Sequence, residues 1–398
     1  MRNLQNSLIC FVLVSWLIGC NSDVQETTRK ESVPGFSALL ELISEADSVK
    51  RTELIQTFAD TLTSTPYKEN DTTAYFIYFG NVSGVGVAGD FNSWNPSGFS
   101  LGKIKDTDLW YLKRNFEENA RLDYKLVLNG SSWILDPKNP ITISGGFGPN
   151  SELSMPRYDP PWEIVKDEQV PSGIMVDETY TGALTGKDYQ MMVYLPPGYS
   201  VEKKYPTVYF QDGAEYINLA DANITLDNLI ASGIIQPVIG VFVIPNNRNT
   251  EYAFDDRFKY KDFFVSQLVP FIDDKYSTIA SPASRAVIGD SYGGNISAII
   301  AFSHPEVFGN CGIHSGAFQP NNFSTNSIVM DGIKKDIRVA TIWGTYEGAS
   351  LPPNMRKVRD YLISTGYEVA WKELPEGHSW GLWRATLDEM LMFFFPSE

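Results

Sequence analysis

The sequence predicts an α/β architecture in the C-terminal half, a mostly parallel sheet with helices on both faces, preceded by a small helical segment and an all-β unit. Three observations carry this. From about residue 172 onward, short apolar runs rich in β-formers alternate with stretches of helical period, the pattern of a parallel sheet covered on both sides. One such run, Arg285-Ala286-Val287-Ile288, breaks into Gly289-Asp290-Ser291-Tyr292-Gly293-Gly294 and continues as a small-residue, apolar helix over residues 295–302. Between about 72 and 158 the apolar runs are short and separated by turn dipeptides such as Asn95-Pro96 and Asn129-Gly130, as in a β-sandwich.

Taken in order, residues 1–19 carry one Arg and then an apolar stretch over 8–18. That stretch is too short to span a bilayer comfortably and reads as a signal peptide. Leu17-Ile18-Gly19-Cys20 resembles a bacterial lipobox, which implies a lipid anchor on Cys20 and a place in the bacterial cell envelope, on either membrane. Residues 20–35 read as a polar tether. The spacing of Phe36, Leu39, Leu40 and Ile43, then of Leu54, Ile55, Phe58 and Leu62, predicts a helical pair over 36–65 that packs against the next domain. The sandwich occupies 66–158, with strands predicted at 74–79, 84–88, 110–116, 122–128 and 132–135. Pro160, Pro161 and Pro171 mark 159–171 as a linker. Residues 172–398 form the α/β unit, with strands at 174–181, 190–194, 207–210, 238–244, 286–288, 312–314, 339–343 and 369–373. Its helices are predicted at 226–232, 262–275, 295–302, 355–364 and 382–394.

A chain of 398 residues has room for two domains, and its net charge of −16 argues against a nucleic-acid partner. Of the three cysteines, Cys10 leaves with the signal peptide and Cys20 carries lipid. The remaining Cys311 can form neither an intramolecular disulfide nor a thiolate metal cluster. No metal and no cofactor are implied.

The stretch around Ser291 has the form of a nucleophile elbow: a buried strand, a sharp turn carrying Ser, then a helix. Gly289 and Gly293 stand two residues to either side, where a side chain would collide as strand and helix close up. A base and an acid should follow in the order Ser, acid, His. There are three His. His304 precedes Pro305 at a helix end, and His314 runs from a strand into a turn and is expected to be packed or locally hydrogen-bonded. His378, in a loop after the last strand, is expected to take the Ser291 proton. Glu347, just beyond the strand at 339–343, is the first candidate for the acid, with Asp360, Glu373 and Glu376 as rivals.

Tyr209-Phe210-Gln211-Asp212-Gly213, Arg248-x-x-Glu251-Tyr252, Gly289-Asp290-Ser291-Tyr292-Gly293, Ser315-Gly316 and Gly377-His378-Ser379-Trp380 together resemble the esterase D family of α/β-hydrolases. That family includes enterochelin, feruloyl and acetylxylan esterases. The resemblance covers about 170–398 and implies an α/β-hydrolase sheet. It also implies an oxyanion hole from the N–H of Tyr292 and that of Gly213 or Ala214. Arg248 and Glu251 match a family pair beside the site, either binding substrate or fixing a loop as an ion pair. Trp380 and Trp383 flank His378, Trp380 as a candidate pocket wall and Trp383 as core.

In the sandwich, Gly89-Asp90-Phe91-Asn92-Ser93-Trp94, Tyr124-Lys125 and Gly130-Ser131-Ser132-Trp133 before Asp136-Pro137 resemble the early-set, glycogen-binding type of carbohydrate-binding module, an Ig-like fold. Matched by motif, its glucan contacts would be Trp94, Lys125, Trp133 and Asn150. The alternative is a rigid packing unit in which Trp94 is a fold residue. The unit contains no His to act as a base, so it is expected to be dispensable for chemistry on small esters.

The combined expectation is a lipid-anchored serine esterase acting through an acyl-enzyme on feruloyl or acetyl esters of polysaccharide. The alternatives are a siderophore trilactone esterase and a non-catalytic, glucan-binding surface lipoprotein.

Overall fold

The structure, a computed structural model, describes residues 35–397. The signal peptide 1–19, Cys20 and nearly all of the 20–35 tether lie outside the described residues. Two helices open the described chain, Phe36–Glu45 and Ser48–Thr61, the second capped by Asp47, whose carboxylate accepts from Lys50 N–H. Their apolar stripe lies on the sandwich. Phe36 meets Tyr75 and Tyr111 edge-on at 4.9 and 5.5 Å, and Phe58 closes the cluster.

Each sandwich strand alternates inward and outward residues, so two sheets can share one core. One is four-stranded and built around Thr73–Phe79 and Leu109–Asn115. The other is five-stranded and built around Val85–Gly89, Arg121–Leu128 and Asn150–Ser154. Phe76, Val87, Trp110, Leu122, Tyr124, Leu126 and Leu153 fill the space between them. The strand Asn150–Ser154 is absent from the sequence reading because Asn-Ser-Glu-Leu-Ser offers one apolar residue. Its outward Glu152 faces a buried arginine, not water.

The C-terminal unit is an eight-stranded sheet of β1 (Ile174–Gly182), β2 (Lys187–Leu195), β3 (Thr207–Phe210), β4 (Ile239–Val243), β5 (Arg285–Asp290), β6 (Asn310–His314), β7 (Arg338–Gly344) and β8 (Glu368–Leu374). The spatial order is β1-β2-β4-β3-β5-β6-β7-β8. Strand β2 runs antiparallel to both its neighbours, β1 and β4, and the remaining pairs are parallel. Strands β3 to β6 are buried along their whole length, because helices cover both faces. One large apolar cluster lies under Arg257–Lys275 and the elbow helix Tyr292–Ser303, and a second lies on the opposite face.

Two helices expected as single pieces are divided. The one expected at 262–275 contains a π-turn over Phe264–Leu268 directly before Pro270, which has no N–H to continue the ladder. The one expected at 382–394 breaks into Trp380–Arg384 and Leu387–Phe394 at Thr386, whose hydroxyl donates back to Leu382 O.

The elbow depends on Gly289. A Cβ there would lie 2.3 Å from the backbone carbon and oxygen of Gly293. Gly289→Ala is therefore expected to force strand and helix apart, costing about 1–3 kcal/mol. Thermal unfolding should show a lowered Tm, and an unchanged Tm with full activity would contradict the close approach.

Candidate active site

Ser291 ends β5 and begins the helix Tyr292–Ser303 with φ 51° and ψ −115°, a conformation ordinary L-residues avoid. Its N–H donates to His314 O at 2.9 Å and its carbonyl accepts from Ala317 N–H at 3.0 Å, so the turn is tied to the strand beside it. The hydroxyl points at His378, with Ser291 Oγ and His378 Nε2 2.9 Å apart. His378 Nδ1–H faces Glu347 Oε2 at 3.0 Å. The other oxygen of Glu347 accepts from Gly344 N–H at 2.8 Å and from the Ser315 hydroxyl. Ser315 in turn accepts the indole N–H of Trp383 at 2.8 Å, and the Trp383 ring stands edge-on to His378 with centroids 5.0 Å apart. The result is one hydrogen-bonded line from a half-buried hydroxyl to a buried carboxylate, which favours one tautomer of the ring, Nδ1–H.

Among the rival carboxylates, Glu373 pairs with Arg356, Asp360 pairs with Arg359, and Glu376 is buried beside Arg121. None lies on the line to His378.

Tyr292 begins a helix, and Gly213 and Ala214 begin the short helix Gly213–Asn218, so their N–H groups are among those a helix cannot satisfy internally. Because β3 and β5 are hydrogen-bonded neighbours, the two turns stand side by side, and a Cβ on Gly293 would lie 3.3 Å from Gln211 Cβ. Such an arrangement can stabilise negative charge on an oxygen bound between the two turns.

Arg248 and Glu251 do not pair with each other, which corrects the ion-pair expectation. Arg248 Nε and Nη2 grip the carboxylate of Asp212 at 2.7–2.9 Å, and Nη2 lies 3.4 Å from both Asp290 O and Oδ2. Arg248 thus staples the loop after β3 to the end of β5, holding the two turns in register. Burial and then the charge of Asp212 push Asp290 well above the usual carboxylate range, with the Arg248 guanidinium opposing the shift. Glu251 is 1% exposed and is occupied by Lys187, Tyr189 OH and the N–H groups of Asn246 and Asn247. These bonds anchor the loop before Arg248. Trp380, the candidate pocket wall, is 7% exposed and packs edge-on to Tyr216 and Trp383.

The four sugar-contact candidates divide. The Trp94 indole N–H donates to Asp90 at 3.1 Å, and the Asn150 amide donates to Asp123 at 3.0 Å, so both are tied into a buried acidic cluster. Trp133 is 45% exposed and pairs across from Val127, two residues along its strand from Lys125. Sequence reasoning missed Ser315, Asp212 and Asp290 as supports, although each lies inside a motif it singled out. A cavity of about 280 Å³ lined by Lys166, Asp227 and Asn228 contains none of the residues on the Ser291 line.

Three comparisons bear on this site. Residues 182–394 match the family described as "Putative esterase". The uncharacterized protein YjcH of Bacillus subtilis is 31% identical over 144 residues, which is 35% of this chain and 60% of that protein. The endo-1,4-beta-xylanase/feruloyl esterase of Xylanibacter ruminicola is 27% identical over 282 residues, 64% of this chain and 38% of that one. The chain therefore spans only part of both relatives. The enterobactin esterase of Shigella flexneri, solved in the presence of 2,3-di-hydroxy-N-benzoyl-serine, superposes with a TM-score of 0.69 at 16% identity. That match covers 85% of this chain and 97% of the other, and shows a shared fold.

His314 offers a test of the site's floor. It is fully buried, its Nδ1 faces Tyr216 OH and its Nε2 faces Thr386 Oγ1, and burial holds its pKa down to about 3. Unfolded, the ring takes a proton near pH 6.5. Below that pH the unfolded state binds more protons than the folded one, so the stability His314 contributes above it is lost as pH falls toward 3. Urea unfolding of wild type and His314→Gln should show the wild-type advantage shrinking by up to about 1.4 kcal/mol per pH unit between pH 6.5 and 4. A constant difference would contradict the buried neutral ring.

Proposed function

The chain belongs to the esterase family, and on that premise we propose that it is an exported serine carboxylic-ester hydrolase releasing feruloyl or acetyl groups from polysaccharide. The observation that carries this reading is the unbroken line Ser291–His378–Glu347 set at the first turn of a helix. Ser291 Oγ attacks the ester carbonyl carbon while His378 Nε2 takes its proton. Glu347 holds the ring and offsets the imidazolium charge. The carbonyl oxygen, now negative, accepts from the N–H of Tyr292 and of Gly213 or Ala214. Collapse expels the alcohol, which takes the proton from His378. Water activated by the same nitrogen then releases the carboxylic acid and restores Ser291.

A polysaccharide ester as substrate is supported by the Xylanibacter ruminicola relative, whose name joins xylanase and feruloyl esterase. It is supported also by the resemblance of the sandwich to a carbohydrate-binding module, where Lys125 and the exposed Trp133 remain for sugar contact. A second reading, opening of a siderophore trilactone, is favoured by the likeness to an enterobactin esterase over 85% of this chain. Release of ferulate, of acetate and of trilactone fragments, assayed side by side, separates the two.

Ser291→Ala is expected to lower hydrolysis of 4-nitrophenyl acetate by about 10³-fold or more with an unchanged circular dichroism spectrum. Glu347→Gln keeps the shape but removes the charge, and should lower kcat by roughly 10²–10⁴-fold. Near-normal rates in either variant would remove that residue from its role. A fluorophosphonate that fails to label Ser291 would favour the non-catalytic reading.

In this reading Cys20 carries the lipid anchor that keeps the enzyme at the cell envelope. Cys20→Ser should move the protein from the membrane fraction to the soluble one or leave its signal uncleaved. A wild-type protein without lipid on Cys20 would exclude the anchor.

A further inference from the structure

The loop that carries His378 does not rest only on its own domain. On the five-stranded sheet of the sandwich, Leu122, Tyr124 and Leu126 face the core, so Arg121 and Asp123 project from the other face, against residues 375–381. The contact begins in the backbone. Arg121 N–H donates to Pro375 O at 3.2 Å, and Arg121 pairs with Glu376 as a parallel β-bridge. The Arg121 side chain, fully buried, then crosses the loop. Its Nη1 donates to Ser379 Oγ at 3.1 Å, directly after His378. Behind it, Nε donates to Glu152 at 2.8 Å and Nη2 lies 2.7 Å from Asp123, which fixes the direction of the guanidinium.

The packing leaves the loop little room. A Cβ on Gly381 would lie 1.9 Å from Arg121 Nη1, and a Cβ on Gly377 would lie 2.0 Å from the carboxyl carbon of Asp90. Asp90 is held in turn by Asp123 N–H at 2.7 Å and by the Trp94 indole. His378 therefore lies between two glycines, each pressed by a side chain of the sandwich. The acid loop is braced as well: Tyr346, beside Glu347, donates to Glu117 of the sandwich at 2.6 Å.

We propose that Arg121, aimed by Asp123 and Glu152 and assisted by Asp90, is a positioning residue for His378, so that the sandwich is part of the catalytic machinery even for small esters. The proposal rests on the assignment of His378 as the base, and it reverses the sequence expectation that the module is dispensable. The protonation of the cluster agrees with it. Burial, the largest cause in each, pushes Asp90 up to about 7 and Glu376 up to about 8, so these two carboxyls carry weakened charge beside the guanidinium near neutral pH. A shift of about 1 Å in a catalytic group can cost 10²-fold in rate, which is the effect a misplaced ring would have.

The test uses the full-length protein, 4-nitrophenyl acetate and proton NMR of the low-field His378 Nδ1–H resonance. Arg121→Met should lower kcat by about 10²-fold, leave KM nearly unchanged and shift or broaden that resonance, at temperatures where the variant remains folded. Arg121→Lys, which keeps the charge but not the fork, should recover part of the loss. A folded Arg121→Met with wild-type kcat and an unshifted resonance overturns the proposal. If Arg121→Met does not fold, Ser379→Ala, which removes only the loop's side of the contact, decides: a loss in kcat of about fivefold, the size expected for one hydrogen bond, supports positioning, and an unchanged kcat refutes it. Ser291→Ala is run alongside. Retained activity there defeats the assignment of the nucleophile and both readings with it, whereas an inactive Ser291→Ala beside a fully active Arg121→Met defeats the positioning role alone.

Discussion

A serine held at φ 51° and ψ −115° costs about 1–3 kcal/mol of backbone strain that its surroundings must offset. Much of the C-terminal domain can be understood as the structure that holds it there. The turn cannot relax toward the helix, because Gly289 and Gly293 are already in contact. It cannot relax toward the strand, because Ser291 N–H is bonded to His314 O and its carbonyl to Ala317. His314 itself is fixed by Tyr216 and Thr386, which belong to two different covering segments. Strain at the nucleophile is thus matched by hydrogen bonds distributed over β5, β6 and the helices above them.

Around this turn the protein places charges where water is scarce, and in each case a second group sets their direction. Arg248 grips Asp212 through two nitrogens and reaches Asp290, joining the two segments that present the backbone N–H groups. Glu347 has both oxygens engaged, one by Gly344 and Ser315 and the other by His378. Buried pairs of this kind are weak contributors to net stability, since desolvation cancels most of their attraction. Their effect is geometric. A carboxylate with every oxygen engaged keeps the imidazole facing Ser291 without having to reorganise as charge develops.

The parallel sheet and its elbow were legible in the sequence because they are written in local signals: apolar runs of strand length, glycines at fixed offsets, and a serine between them. The line to His378 was legible through elimination, since the chain has three His and chain order separates them. What escaped was whatever depends on a partner distant in sequence. Arg248 and Glu251 resemble a family pair, yet Arg248 is claimed by Asp212 and Glu251 by Lys187, each dozens of residues away. Nothing in the sequence marks Glu152 and Arg121, because periodicity reports which face of a strand is outward but not that another domain covers it. Trp94 and Asn150 carry the composition of a sugar site, while their polar atoms are engaged by Asp90 and Asp123.

That engagement explains why the domain boundary is polar. An apolar seam of the same area would hold the two units together at least as well, because replacing a buried ion pair by packed hydrocarbon is often neutral or stabilising. Hydrocarbon contacts, however, are non-directional and leave a glycine-flanked loop free to slide. A guanidinium fixed by Asp123 and Glu152 has one orientation, and from it the Ser379 hydroxyl and the Gly381 backbone take theirs. Stability therefore gives no reason for an arginine at this seam. Orientation does, because the loop it orients carries the imidazole that faces Ser291.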